Sequence, residues 1–406
     1  MKYDFETVFD RRGKDAISVD LACVPGKNTS YSFNGVDIRD DFEFIPMWVA
    51  DMSFRNYPGI DSAMINRINE PTLGYFMPRD EYYDGIIRWQ KRKNNVEYLQ
   101  KEDITYENGV LGGVSTALRV LAGTSGKVLI HSPTYVGFTH VLQNNGYEVF
   151  HSPLVWNDDG KWVMDYEDME KQLWENNIHT AIFCSPHNPT GRVWERKELE
   201  IAMDIFKRHD VCVISDEIWS DMILPGHRHI PTQSVSEDAK QRTIAFYAPS
   251  KTFNLAGLVG SYGIIYNKYL RDRFLKESSL SHYNSMNVLS MYALIGAYTD
   301  GGYDWCRQLC DVIAGNVDYA YDFITARFKG VKLSKPEGSY LLYLDCTEWL
   351  EDHSSTLKEL LEKGWEYGVG WQNGEDFLMP RTIRMNLALP KKKVIEAFDR
   401  LERYVF

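Results

Sequence analysis

From about residue 105 the chain alternates short, near-continuous apolar runs with longer stretches in which apolar residues recur every three or four positions. This pattern predicts strands at 128–131, 147–151, 180–184, 211–215, 243–248 and 262–266, and amphipathic helices around 136–145, 166–177 and 196–209. Asn108-Gly109-Val110-Leu111-Gly112-Gly113 leads into another helix, with Val114, Ala117, Leu118 and Leu121 on one face and Gly123 as its stop. Strands that are apolar throughout and separated by helices make a mostly parallel sheet covered on both faces. In such α/β sheets ligands gather beyond the carboxyl ends of the strands.

The flanks read differently. Residues 1 to about 46 are polar and irregular, with turn signals at Pro25-Gly26 and Asn34-Gly35. Pro46-Met47-Trp48-Val49-Ala50-Asp51-Met52-Ser53-Phe54 is strand-like with one acid in it, and Gly74-Tyr75-Phe76 precedes a helix over 82–93. Beyond about 290 come helices at 284–300 and 303–328, a strand at 339–345, a helix near 354–363, a strand at 383–387 and a helix over 391–404. The division expected is a large domain, 49–288, and a smaller α+β domain built from 1–48 and 289–406. Asn157-Asp158-Asp159-Gly160-Lys161 lacks the further acids of a calcium loop and reads as a hairpin turn.

At 406 residues the chain can hold two domains, and its 44% hydrophobic and 25% charged residues are ordinary for a globular protein. The net charge of -12 argues against nonspecific binding to nucleic acid or anionic membrane. No apolar segment opens the chain and none is long enough to span a bilayer, so neither a secretory signal nor a membrane helix is expected. Six scattered cysteines without metal-ligand spacing suit reduced thiols in a cytoplasmic protein, and no metal site is expected.

Polar residues at the predicted strand ends carry the chemistry. Lys251 follows the run ending at Ala248-Pro249-Ser250; alone it reads as a solvated loop lysine, but beside a cleft its amine can condense with an aldehyde. Asp216 ends a buried strand, either as a helix cap or as a partner for a protonated ring nitrogen. Gly112-Gly113 is a tight turn or a cradle of helix amides for a phosphate. Asn188 lies in an Asn-Pro-Thr-Gly turn, and Arg384, in a short apolar strand, wants a carboxylate. Together these groups are what a phosphorylated pyridine aldehyde and an amino-acid substrate require.

In these segments the chain resembles fold-type I pyridoxal phosphate enzymes of the class I/II aminotransferase superfamily. More closely it is similar to the MalY/PatB branch of cystathionine β-lyases and cysteine C-S lyases, which includes cystalysin. The resemblance rests on Met47-Trp48-Val49-Ala50-Asp51-Met52, Ser132-Pro133-Thr134-Tyr135, Ser185 through Trp194, Ser215-Asp216-Glu217-Ile218-Trp219, Ala248 through Tyr262, Pro336 through Leu341 and Arg384-Met385-Asn386. It implies a mostly parallel seven-stranded sheet, pyridoxal 5'-phosphate as cofactor, and a homodimer with shared sites. In the roles it implies, Lys251 holds the cofactor aldehyde and Asp216 the ring nitrogen. Asn188 meets the ring hydroxyl and Tyr135 stacks on the ring. Gly112, Gly113, Val114 and Ser250 take the phosphate, and Tyr75 reaches that of the neighbouring subunit. Trp219 lines the cofactor, Arg384 and Asn188 hold the substrate carboxylate, and Ala50 and Asp51 line the entrance.

Two positions depart from the wider superfamily. Trp219 stands where aspartate aminotransferase-like enzymes carry a tyrosine, and Val259 where many carry a phosphate-binding arginine. Both lean toward the lyase branch, and the activity implied is β-elimination from cysteine S-conjugates. An aminotransferase using the same residues and a regulatory protein that keeps the cofactor site are the alternative readings.

Overall fold

Strands covered on both faces have no solvent side, so they are built from unbroken apolar runs. Thr180–Cys184 and Thr243–Tyr247, buried at every residue, are the clearest cases. They lie within an eight-stranded sheet in the computed structural model, which describes residues 2–22, 36–124, 126–280 and 283–406. Cys23 and the turn signals at Pro25-Gly26 and Asn34-Gly35 lie outside the described residues.

After a two-residue strand, β1 (Ile45–Pro46), the large sheet takes β2 (Ile104–Asn108), β3 (Lys127–Ser132), β4 (Glu148–Trp156), β5 (Trp162–Met164), β6 (Thr180–Cys184), β7 (Cys212–Asp216), β8 (Thr243–Tyr247) and β9 (Gly260–Ile264). Its spatial order is β2-β9-β8-β7-β6-β3-β4-β5. The pairs from β8 across to β4 are parallel, and β9 is antiparallel to both neighbours. Strand β2 therefore points the same way as β8. Seven of these strands make the expected sheet, and β5 adds an eighth by folding back on β4. The turn between them is closed by Asn157 Oδ1, which accepts the amides of Asp159 and Lys161 at 3.1 and 2.9 Å.

Helices cover both faces. Val110–Leu121 sets Val114, Ala117 and Leu118 against Ile182, Ile214, Ile244 and Phe246. Where this helix touches β8 there is room only for glycine: a Cβ on Gly113 would come within 2.5 Å of the Phe246 ring. Two helices, Pro58–Ile68 and Lys268–Ser279, were not expected from the pattern. They bury only Ile60 in the first case, and Leu270 and Phe274 in the second, so neither shows a full apolar stripe.

The remaining strands are β10 (Lys332–Leu333), β11 (Leu341–Asp345), β12 (Val369–Gly370), β13 (Gln372–Asn373) and β14 (Thr382–Asn386). They form a four-stranded antiparallel sheet, β10-β11-β14-β13, and a parallel pair of β1 with β12 that ties the N-terminal segment to the C-terminal part. The terminal helix is Lys391–Tyr404, as the pattern predicts. The strand expected over 46–54 shortens to β1. Backbone groups after it are taken up by side chains instead of a ladder. Met52 N and O bond the Asn254 amide, both at 3.0 Å, and Asn386 Nδ2 donates to the carbonyls of Val49 and Asp51. Among the described residues no helix is long and apolar enough to cross a membrane.

Candidate active site

Strand β2 and the parallel strands all end at one edge of the large sheet. A cavity of about 390 Å³ opens there, roofed by residues 48–50 and by β13 and β14. Pro249 ends β8 and starts a single helical turn, Pro249–Thr252, which carries Ser250 and Lys251 to the cavity wall. Lys251 Nζ donates to the Ala50 carbonyl at 2.8 Å and stands 5.7 Å from the centroid of the Trp219 ring. Desolvation, reinforced by the Arg384 charge, pulls its pKa down to about 8, against the opposing pull of Asp51 and Asp216.

Asp216 is the last residue of β7 and is buried. Its carboxyl accepts the Ile218 amide at 3.0 Å, so it caps the following turn and lines the cavity at once. Burial raises its pKa to about 7, more than that amide and Lys251 can offset. Trp219 packs edge-on against Tyr340, whose hydroxyl donates to the same Ala50 carbonyl at 3.0 Å.

After β6 the chain folds back on itself, with the Gly191 amide donating to the His187 carbonyl at 2.8 Å. This turn presents Asn188 Oδ1 to Arg384 Nη1 at 3.2 Å. The turn is held from behind by Arg192. It donates to the Trp162 carbonyl at 2.7 Å and the Glu198 carboxylate at 2.7 Å, and pairs with Glu337, which also accepts Lys161 at 3.0 Å. Arg384 itself, on β14, gives Nη2 to Gln372 Oε1 at 2.5 Å and to the Trp48 carbonyl at 3.3 Å. Its Nε is buried without a partner among the described residues, and burial pulls its pKa down to about 10. A buried guanidinium with an orphaned donor is an open position for a carboxylate.

Of the phosphate cradle expected at Gly112, Gly113 and Val114, Gly112 keeps a first-turn amide, whereas Gly113 and Val114 are committed to the helix and the core. The helix begins at Val110, so its free first-turn amides belong to Val110, Leu111 and Gly112. Gly109, Val110 and Leu111 line the cavity. Gly109 takes φ 77° and ψ 148°, a conformation open to glycine alone. The Gly113 amide is already spent on the Gly109 carbonyl at 3.2 Å, and Val114 is fully buried in the core. Gly113 is packed against Phe246.

Tyr135, Asn188, Asp216, Trp219, Ser250, Lys251, Ala50 and Arg384 all line the cavity. Asp51 stands beside it, paired with Arg11 at 2.5 Å. Tyr75 is fully exposed and is not at the cavity of its own chain. Val259 lines the cavity at φ 63° and brings no charge. Lys251 and Arg384 are the cations of the wall among the described residues. The sequence reading missed Gly109, Leu111, Ser261, Tyr340, Gln372 and Ile17. A glycine immediately before a helix was a signal for Gly109. Gln372 had none, because it is brought to Arg384 only by the β13–β14 register.

The arrangement joins an amine that is partly free base near neutral pH, an acid that is partly protonated there, first-turn helix amides and a guanidinium with one unpaired donor. The Aminotransferase class I and II family model matches residues 63–401. Cystathionine beta-lyase PatB of Bacillus subtilis (strain 168) is 34% identical over 341 residues, covering 82% of this chain and 87% of that protein. Protein MalY of Escherichia coli (strain K12) is 30% identical over 401 residues, covering 97% and 96%. Among solved structures, cystalysin from Treponema denticola, which contains a pyridoxal 5'-phosphate cofactor, superposes with a TM-score of 0.89 at 30% identity, covering 99% of this chain and 98% of its own. The PLP-bound C-S lyase from Staphylococcus hominis gives 0.87 at 29% identity, covering 100% and 98%.

Proposed function

The chain belongs to the aminotransferase class I and II family, and from that membership and the site we propose that it is a pyridoxal phosphate-dependent carbon–sulfur β-lyase. Its substrates are cystathionine, cysteine and related cysteine S-conjugates, and its products a thiol (sulfide from cysteine), pyruvate and ammonia. The observation that carries the reading is the Lys251 amine in one cavity with the Asp216 acid and the orphaned Arg384 Nε. The names of PatB and of the solved C-S lyase support elimination over transamination.

Pyridoxal phosphate fits the residues present. The Val110 and Leu111 amides and the Ser250 hydroxyl suit the phosphate, Asp216 the ring nitrogen, Asn188 the ring hydroxyl, Tyr135 a ring face and Lys251 the aldehyde. When bound, the cofactor supplies an electron sink for the charge left at the substrate Cα. Arg384 orients the substrate by its carboxylate, satisfying the orphaned Nε. Lys251 takes the Cα proton at Nζ, a role suited to a base whose pKa lies near 8. Asp216 holds a proton at the ring nitrogen. Trp219 and Tyr340 close the wall behind Lys251 and exclude water. Over the whole reaction the Cβ–S bond breaks, sulfur leaves with the electron pair and gains a proton, and one water is consumed in releasing pyruvate and ammonium.

We further propose a cytoplasmic dimer in which Tyr75 reaches the partner's phosphate site. Leu73, Tyr75 and Met77 all stand exposed on one stretch outside the helices and strands, which supports an arm that a second copy covers. The test supplies cystathionine to the holoenzyme with no keto acid. Pyruvate and homocysteine over many turnovers, lost in Lys251→Ala, are expected. A single half-turnover that needs a keto acid to continue would replace the lyase reading with a transaminase.

A further inference from the structure

Beside Arg384 the cavity wall carries a buried polar side chain that the reaction does not use. Gln372, on β13, is the direct cross-strand partner of Arg384 on β14 and lines the cavity with it. A guanidinium has donors only, so the Gln372 amide turns its oxygen to it and accepts Nη2 at 2.5 Å. That fixes the other end of the amide: Nε2 donates to Asp376 Oδ2 at 3.4 Å. One neutral amide thus stands between a buried cation and a carboxylate.

Asp376 belongs to the tight turn Gly374–Phe377, which joins β13 to β14. Asn373 Oδ1 caps the turn by accepting the Glu375 amide at 3.0 Å, and Leu378 ends it at φ 64°. The Phe377 ring of the same turn has Arg384 Cζ 4.5 Å from its centroid. The Asp376 charge is felt at Arg384, and Asp376 in turn feels Arg384, Glu375 and His140. The carboxylate and the guanidinium therefore attract one another across the amide. A forked pair is the strongest contact the two could make, and it would compete for the donors that an incoming carboxylate needs. The amide oxygen satisfies Nη2 without adding charge, so Arg384 keeps its full attraction for an anion.

We propose that Gln372 is a positioning residue that holds the Arg384 fork open, keeping the Asp376 carboxylate from closing on it. The inference rests on the reading of Arg384 as the group that takes the substrate carboxylate, and it adds the two residues that set how available that group is. Gln372 acts through Arg384 and takes no part in proton transfer.

The test titrates holoenzyme with L-alanine and with ethylamine, following the cofactor absorbance. Alanine has the carboxylate but no group that can leave from Cβ, and ethylamine is its counterpart without the carboxylate. Gln372→Leu is expected to raise the dissociation constant for alanine about tenfold and to leave that for ethylamine unchanged. Adding Asp376→Asn to Gln372→Leu should return most of the loss, because the competing charge is gone, whereas Asp376→Asn alone should not weaken alanine. With cystathionine, Gln372→Leu should raise KM and spare kcat. Thermal melting of each variant reports folding. Should Gln372→Leu not fold, the isosteric Gln372→Glu, which sets a carboxylate on Nη2, is expected to weaken alanine at least as much and to spare ethylamine. If wild type releases no pyruvate from cystathionine, the lyase reading fails while the alanine titration still decides the role of Gln372. Unchanged alanine binding in the Gln372 variants, an equal loss for ethylamine, or a loss in Gln372→Leu that Asp376→Asn does not reverse would each overturn the inference.

Discussion

Lys251 should ionise near pH 8, and the surroundings that produce this are open to direct perturbation. An ordinary lysine near 10.5 is a free amine in roughly one molecule in three thousand at pH 7, whereas one at about 8 is free in about one in ten. Burial is the main cause and the Arg384 guanidinium the second, so removing that like charge must move Lys251 upward. The assay is the rate at which apoprotein captures pyridoxal phosphate, trapped by borohydride and counted at Lys251 by mass spectrometry across pH 6 to 11. Wild type should follow a midpoint near 8, with a rate at pH 7 about three-hundred-fold above that of an unperturbed lysine of equal access. Arg384→Gln should shift the midpoint up, and Asp51→Asn, which removes an opposing charge, should shift it down. A wild-type midpoint above 10, or an Arg384→Gln profile at or below that of wild type, would refute the electrostatic account of this amine.

Other consequences concern the frame around it. Gly113→Ala should cost about 1–3 kcal/mol of stability by overpacking against Phe246. It should leave cofactor affinity nearly unchanged, while Gly109→Ala should weaken cofactor binding; urea unfolding and cofactor titration separate the two. Glu337→Ala strips a carboxylate from the buried Arg192 and should destabilise by about 3 kcal/mol, the low end for such pairs because Glu198 remains. An unchanged urea midpoint would show the clamp to be idle. His187 is buried and its pKa is pulled down to about 3, below its unfolded value near 6.5. The stability it contributes as a neutral ring is thus full above pH 6.5 and is lost as pH falls toward 3. Asp216 and Glu107, raised to about 7 and 8, push the other way over the same interval, so the test must be a difference. The stability gap between wild type and His187→Gln should be about 2 kcal/mol smaller at pH 5 than at pH 7, and an equal gap contradicts the assignment.

The runs 180–184 and 243–248 were legible as buried strands because a parallel sheet leaves no solvent face to interrupt them. The helix over 391–404 was legible to the residue because its apolar face is unbroken: Val394, Ala397, Phe398 and Leu401 are all buried. Lys251, Asp216 and Asn188 could be named from the sequence because each lies at the end of such a strand or within four residues of it, and strand ends are where this fold keeps its ligands. Local pattern failed where long-range partners set the outcome. The 46–54 run has strand composition, yet Asn254, Asn386, Lys251 and Tyr340 take its backbone groups, from positions some 200 to 340 residues away. The expected phosphate cradle, Gly112 to Val114, overlaps the first-turn amides of Val110 to Gly112 only at Gly112, because glycine pairs look alike whether they face a ligand or a phenyl ring, and only the tertiary structure sets Gly113 against Phe246. The Gln372–Arg384 contact depends on strand register, and the Arg11–Asp51 pair joins residues 40 positions apart in the chain. The chain by itself determined which residues could do the chemistry, since that is written in side-chain type and strand position. Which of them share one cavity, with what charges beside them and which donor left unpaired, was decided only in the tertiary structure. Desolvation and pairing belong to the space around a residue and have no counterpart in its local sequence.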